Sequence, residues 1–122
     1  MPSSKVFRIK GLMKVTVYDL CKSEGFTPVT VSDSGREISG VYIGDLLSWV
    51  MGKAQSGDAW ITIMSNINTL AVAALTDVAC VILAEGVTLE PDILKAAADK
   101  EINIVSTELS AYDAALHLSK HF

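Results

Sequence analysis

From Ala59 onward the chain alternates between short apolar runs and segments whose apolar residues recur at helical spacing. Ala59-Trp60-Ile61-Thr62-Ile63-Met64 reads as a strand and Asn68 to Thr76 as a small-residue helix. Ala79 to Leu83 is a continuous apolar strand. Glu90-Pro91-Asp92 opens a helix with Pro91 in its first turn, and Ile93, Leu94, Ala96 and Ala97 supply its buried side. Ile102 to Val105 is a further strand. Ser110 caps a last helix packing through Ala111, Ala114, Ala115 and Leu118.

The first half is less regular. Thr16 is an N-cap for a helix from about Val17 to Glu24, with Gly25 at the left-handed position after it. Thr27 to Val31 is a strand rich in β-branched residues. The polar turn Ser32 to Glu37 leads to a strand from Ile38 to Ile43. Asp45 then sits at the N-cap or first turn of a helix carrying Leu46, Leu47, Val50 and Met51 on one face. Residues 1–13 read as an N-terminal extension in which Val6 to Ile9 could add an edge strand. Strands without in/out alternation, separated by helices, predict a mostly parallel sheet covered on both faces, a three-layer α/β/α sandwich.

Length narrows this to one domain over residues 1–122. Half the residues are hydrophobic and the mean hydropathy is +0.38, greasy for so small a domain, which predicts that a second copy covers part of the surface in a homodimer. The net charge is −4, and the ten Lys and Arg residues do not cluster, a poor footprint for nucleic acid or an anionic membrane. No leading apolar segment or membrane-length run occurs, so the expected location is cytoplasmic. Cys21 and Cys80, each in an apolar setting, read as small hydrophobes in a reducing compartment.

Motifs for chemistry are missing. Gly52-Lys53-Ala54 lacks the loop and hydroxyl of a P-loop, and neither GxGxxG nor a nucleophile elbow occurs. His117 and His121 share a helix face but have no evident further ligand, so no metal is expected. Asp33, Glu37, Asp45, Asp58 and Asp77 fall at turns or helix ends, where capping explains them.

The stretch Gly35-Arg36-Glu37-Ile38-Ser39-Gly40-Val41-Tyr42-Ile43-Gly44-Asp45-Leu46-Leu47-Ser48 resembles the DRTGG family. Val50 to Ala54, Gly57 to Ile63, Asn68 to Ala73 and Ser106 to Tyr112 extend the likeness to most of the chain. Of the residues that name the family, Arg36 and Gly40 are matched and Ser39 keeps the hydroxyl of the Thr, while Gly35 and Val41 replace the Asp and the second Gly.

The family occurs as a module in some phosphotransacetylases and between CBS domains of some pyrophosphatases, and is related to the N-terminal domain of HPr kinase/phosphorylase. The resemblance therefore implies that last fold and a regulatory, non-catalytic module without a cofactor. A ligand site is expected outside the carboxyl ends of the strands. Its candidates are Ser65, Asn66, Asn68 and Thr69, then Glu85, then Thr107 and Ser110, with Arg36, Ser39, Gly40 and Tyr42 completing the rim. Free helix N–H groups there suit a small anionic metabolite or nucleotide. The alternative is a small enzyme whose site is assembled at the subunit interface.

Overall fold

A computed structural model describes residues 14–121, and the expected extension with its edge strand lies outside the described residues. The first strand β1 (Val15–Thr16) runs straight into α1 (Val17–Cys21). Thr16 closes a capping box with Asp19: its hydroxyl accepts from the Asp19 N–H, and the Asp19 carboxylate accepts from the Thr16 N–H. The helix is shorter than expected, and Ser23 N–H closes it with a bond three residues back to Leu20 C=O. Gly25 supplies the left-handed residue (φ +92°) four positions after the last helical one and feeds β2 (Phe26–Thr30).

The single strand expected from Ile38 to Ile43 is two. β3 (Glu37–Ile38) pairs antiparallel with β1, and β4 (Gly40–Ile43) enters the main sheet parallel to β5 (Asp58–Thr62). Between them Ser39 turns aside and donates its N–H to Gly57 C=O. Gly40 permits the crossing, since a Cβ there would lie 2.6 Å from Oδ1 of the buried Asp58.

After β4 come α2 (Leu47–Lys53), β5, α3 (Ile67–Thr76), β6 (Cys80–Leu83), α4 (Pro91–Asp99), β7 (Ile104–Thr107) and α5 (Ala111–Ser119). The five-stranded sheet has the order β2-β7-β6-β5-β4, parallel except for β2. β5 and β6 are buried along their whole length. On one face Ala59, Ile61, Cys80, Ile82 and Val105 pack with Val17 and Leu20 of α1 and Ala114 and Leu118 of α5. On the other, Trp60, Val81, Leu83 and Ile104 pack with Val50 of α2, Leu70 and Ala73 of α3, and Ala97 of α4. The α/β/α layering is thus as the sequence predicts. Cys80 lies in this core, and burial pushes its thiol up to about 12.

The α2 region departs from expectation. Asp45 does not cap the helix: its carboxylate accepts from the Thr62 hydroxyl at 2.8 Å and the Ile63 N–H at 3.0 Å. Only Val50 of the expected apolar face is fully buried, Leu47 is partly so, and Leu46 and Met51 are exposed. Trp60 is enclosed and donates its indole N–H to Gly44 C=O, whereas Trp49 is exposed.

Gly40→Ala should lower stability by roughly 1–3 kcal/mol, because the new methyl must displace a buried carboxylate. Gly52→Ala in α2, where a Cβ meets nothing within 4 Å, should raise it by about 0.5–1 kcal/mol. Urea denaturation of the two variants reads both signs.

Candidate functional site

At the carboxyl ends of the strands most of the expected ligand groups are occupied by the fold. Asn66 caps α3, its side-chain oxygen accepting from Asn68 N–H and Thr69 N–H. Thr69 is buried and donates its hydroxyl to Met64 C=O. Thr107 Oγ1 accepts from Leu109 N–H, and Ser110 caps α5 by accepting from Asp113 N–H. Glu85 takes a left-handed conformation (φ 60°) so that its N–H can reach Leu109 C=O. Ser65 and the Asn68 side chain remain at the surface with no hydrogen bond among the described residues. A cleft of about 250 Å³ lies nearby, lined among others by Thr27, Thr88, Ser106 and Glu108.

The other half of the expected rim is elsewhere. Arg36, Ser39 and Gly40 precede or open β4, and thus lie at the amino ends of the parallel strands. One strand length, ~13 Å for four residues, separates them from the Ser65–Thr69 group. Tyr42 sits mid-strand, half-buried against the α2–α3 layer, beside Gly44. The residues expected to form one rim therefore form two groups at opposite ends of the sheet.

The amino end carries a second cleft, larger than the first at about 400 Å³, between the Ser32–Arg36 turn and the ends of α3 and α4. Ala73, Ala74, Val78 and Ile102 give it apolar surface; Arg36, Asp77, Lys100 and Glu101 give it charge. Arg36 forms a two-pronged ion pair with Asp77, at 3.1 and 3.2 Å, and also donates to the Asp77 carbonyl at 2.9 Å. Ser56 adds a 2.6 Å bond to the same carboxylate. The Arg36 and Ser56 hydrogen bonds hold the Asp77 carboxyl below the usual carboxylate range. Asp77 itself ends α3 with φ 58°, and Glu101 (φ 58°) plays the same part after α4.

The cleft wall is set by Asn103, which sequence reasoning passed over. Its side-chain oxygen accepts from Ser32 N–H and Asp33 N–H, and its amide donates to Asp33 C=O and Ala79 C=O. One buried amide thus uses four hydrogen bonds to tie the turn to the sheet. A polar residue inside the apolar run Ile102 to Val105 was the available signal.

Among the described residues no three His, Cys, Asp or Glu side chains converge as a metal site. His117 instead packs against Phe26, with ring centroids 5.0 Å apart, and its Nε2 is enclosed without a hydrogen-bond partner. Burial first, then the neighbouring His121 and Lys120, lower its pKa.

Asn103→Ala should cost roughly 2–4 kcal/mol in urea unfolding, since it strands Ser32 N–H, Asp33 N–H and Ala79 C=O, which have no other hydrogen-bond partner among the described residues. The folded chain lowers the pKa of His117, so its contribution is fully present above the ordinary histidine pKa of about 6.5 and is lost as pH falls through the depressed folded value. The melting temperature of the wild-type chain should therefore fall more steeply below pH 6.5 than that of His117→Phe, as calorimetry across pH 4–8 would show.

With this geometry in hand, three comparisons bear on kinship. No curated protein matches the chain. Among solved structures, the CBS and DRTGG domains of the regulatory region of Clostridium perfringens pyrophosphatase, complexed with the activator diadenosine tetraphosphate, share the fold with a TM-score of 0.70 and 14% identity. The match covers 95% of this chain and 50% of that one, so the chain spans about half the length of that regulatory region. The family model of the DRTGG domain matches residues 29–121, and the chain belongs to the DRTGG domain family.

Proposed function

We propose that this chain is a non-catalytic regulatory and binding module that acts as a homodimer and senses a small anionic metabolite or nucleotide. The observation that carries the ligand reading is the amino-end cleft. It combines two cationic side chains, Arg36 and Lys100, with an apolar surface of Ala73, Ala74 and Ile102. That pairing suits a ligand with a flat apolar body and a negative group. A solved protein of the same fold supports the reading, since its regulatory region is complexed with an anionic dinucleotide activator.

The charge balance sets the selectivity. Asp33, Asp77 and Glu101 line the same cleft, and α3 and α4 end there, bringing the negative ends of their dipoles. An anion is therefore held by side chains and not by helix termini, and it must compete with Asp77 for Arg36. Lys100, at the end of α4, has no ion pair among the described residues and is the cation free to meet it. The homodimer reading rests on exposed apolar side chains, among them Leu46, Trp49, Ile63 and Ile67.

The test is a thermal-shift panel of adenine mono-, di- and triphosphates, diadenosine tetraphosphate and inorganic phosphate. A ligand at a hundred times its Kd should stabilise by about 2.7 kcal/mol, which for a domain of this size is a rise on the order of 10 °C. Lys100→Glu should abolish the shift with little change in the unliganded melting temperature. A flat response across the panel would remove the ligand reading, and turnover of any of these compounds by the pure chain would remove the non-catalytic one.

A further inference from the structure

The two edges of the sheet are built differently. The β2 edge is blunted: Pro28 lacks an N–H, and the register breaks between Pro28 and Thr30. The β4 edge has neither device. Its sequence Gly40-Val41-Tyr42-Ile43 holds no charge and no proline, and its pairing with β5 is regular. Gly44 N–H donates to Ile61 C=O, so by the two-residue alternation of a strand Val41 and Ile43 aim their N–H and C=O groups away from β5. No hydrogen bond among the described residues uses them.

Apolar side chains flank this edge. Ile43 is 48% exposed at its carboxyl end, and Ile63 follows β5 just beyond Ile61, the partner of Ile43. On α2, Val50 faces the sheet; Leu47 and Ala54 pack to one side of it, while Leu46 (63% exposed) and Trp49 (59%) lie to the other. These four exposed side chains present roughly half of the ~800 Å² that each partner brings to a standard interface, before the edge backbone between them is added.

Resting on the homodimer reading above, we propose that β4 pairs antiparallel with β4 of a second copy, extending two five-stranded sheets into one of ten strands. The alternation fixes the register. Val41 of one copy faces Ile43 of the other in hydrogen-bonded pairs, twice by symmetry, and Tyr42 meets its own copy at the two-fold axis. An uncharged strand is self-complementary in this arrangement, since no like charges are brought opposite one another. Leu46 and Trp49 then close the α2 side of the joint, and Ile43 and Ile63 the α5 side.

The test combines sedimentation equilibrium with amide hydrogen exchange on the full chain. The wild type should be a dimer at micromolar concentration, with the Val41 and Ile43 amides protected. Ile43→Lys, which places a charge on an already exposed edge position, should weaken dimerisation at least a hundredfold and release both amides while circular dichroism stays native. Thr30→Lys on the β2 edge should leave the dimer intact. A dimer that persists in Ile43→Lys with unprotected β4 amides would overturn the edge pairing and leave the homodimer reading standing. A wild-type monomer would overturn both, and protected β4 amides in that monomer would show that the chain's own leading residues cover the strand.

Discussion

β5 and β6 bury every residue they contain, and both faces of the sheet inherit that demand. A strand buried on both sides cannot alternate apolar and polar residues, so Ala59-Trp60-Ile61 and Cys80-Val81-Ile82-Leu83 read as unbroken apolar runs. Each face must then be covered by helices, and parallel neighbours need crossovers long enough to contain them. The α1–α5 layer and the α2–α3–α4 layer both follow from this one constraint. The same sealing keeps both faces of the sheet itself out of contact with other molecules.

The two ends are not equivalent. Helices α3 and α5 begin at the carboxyl end, and their free N–H groups make it the natural anion site in principle. Here Asn66, Thr107 and Ser110 already serve the chain at that end. At the amino end the Ser32–Arg36 turn must be held against helix C-termini, where backbone carbonyls and carboxylates accumulate. Arg36 and Asn103 do that holding, one by charge and one by four hydrogen bonds. The cleft is the space left between these two anchors and the ends of α3 and α4.

The layered fold was legible because it depends on periodicity, which the sequence displays directly. Thr16, Pro91 and Ser110 marked their helix starts for the same local reason, a side chain or ring that suits the first turn, whereas the Asn66 cap opens α3 at Ile67, one residue before the expected start. What periodicity could not show was which end of the sheet Arg36 would reach. That depends on the chain leaving the short β1–β3 ribbon and turning at Ser39 into β4, a step decided by the tight approach of Gly40 to Asp58. Asp45 misled for a related reason: a carboxylate before a helix resembles a cap, but the Thr62 hydroxyl and Ile63 N–H, seventeen and eighteen residues away, offered it tertiary partners. Asn103 was hidden inside an apolar run, where only the geometry of the turn reveals its use.

The cleft and the β4 edge share one stretch of backbone. Arg36 clasps Asp77 at one end of the segment Arg36–Ile43, and at the other Val41 and Ile43 lie on an edge that no described residue pairs with. Only Glu37 to Gly40 intervene, and Ile38 is pinned in the core while Ser39 bonds to Gly57. A ligand that draws Arg36 from Asp77 removes the restraint at the start of this segment, and a partner strand that orders β4 strengthens the restraint at its end. Free energy passed along such a segment acts in both directions: if the ligand changes the dimerisation constant by some factor, dimerisation changes the ligand's affinity by that same factor. Under the proposed function, that coupling alone would let the chain report a metabolite as a change of assembly.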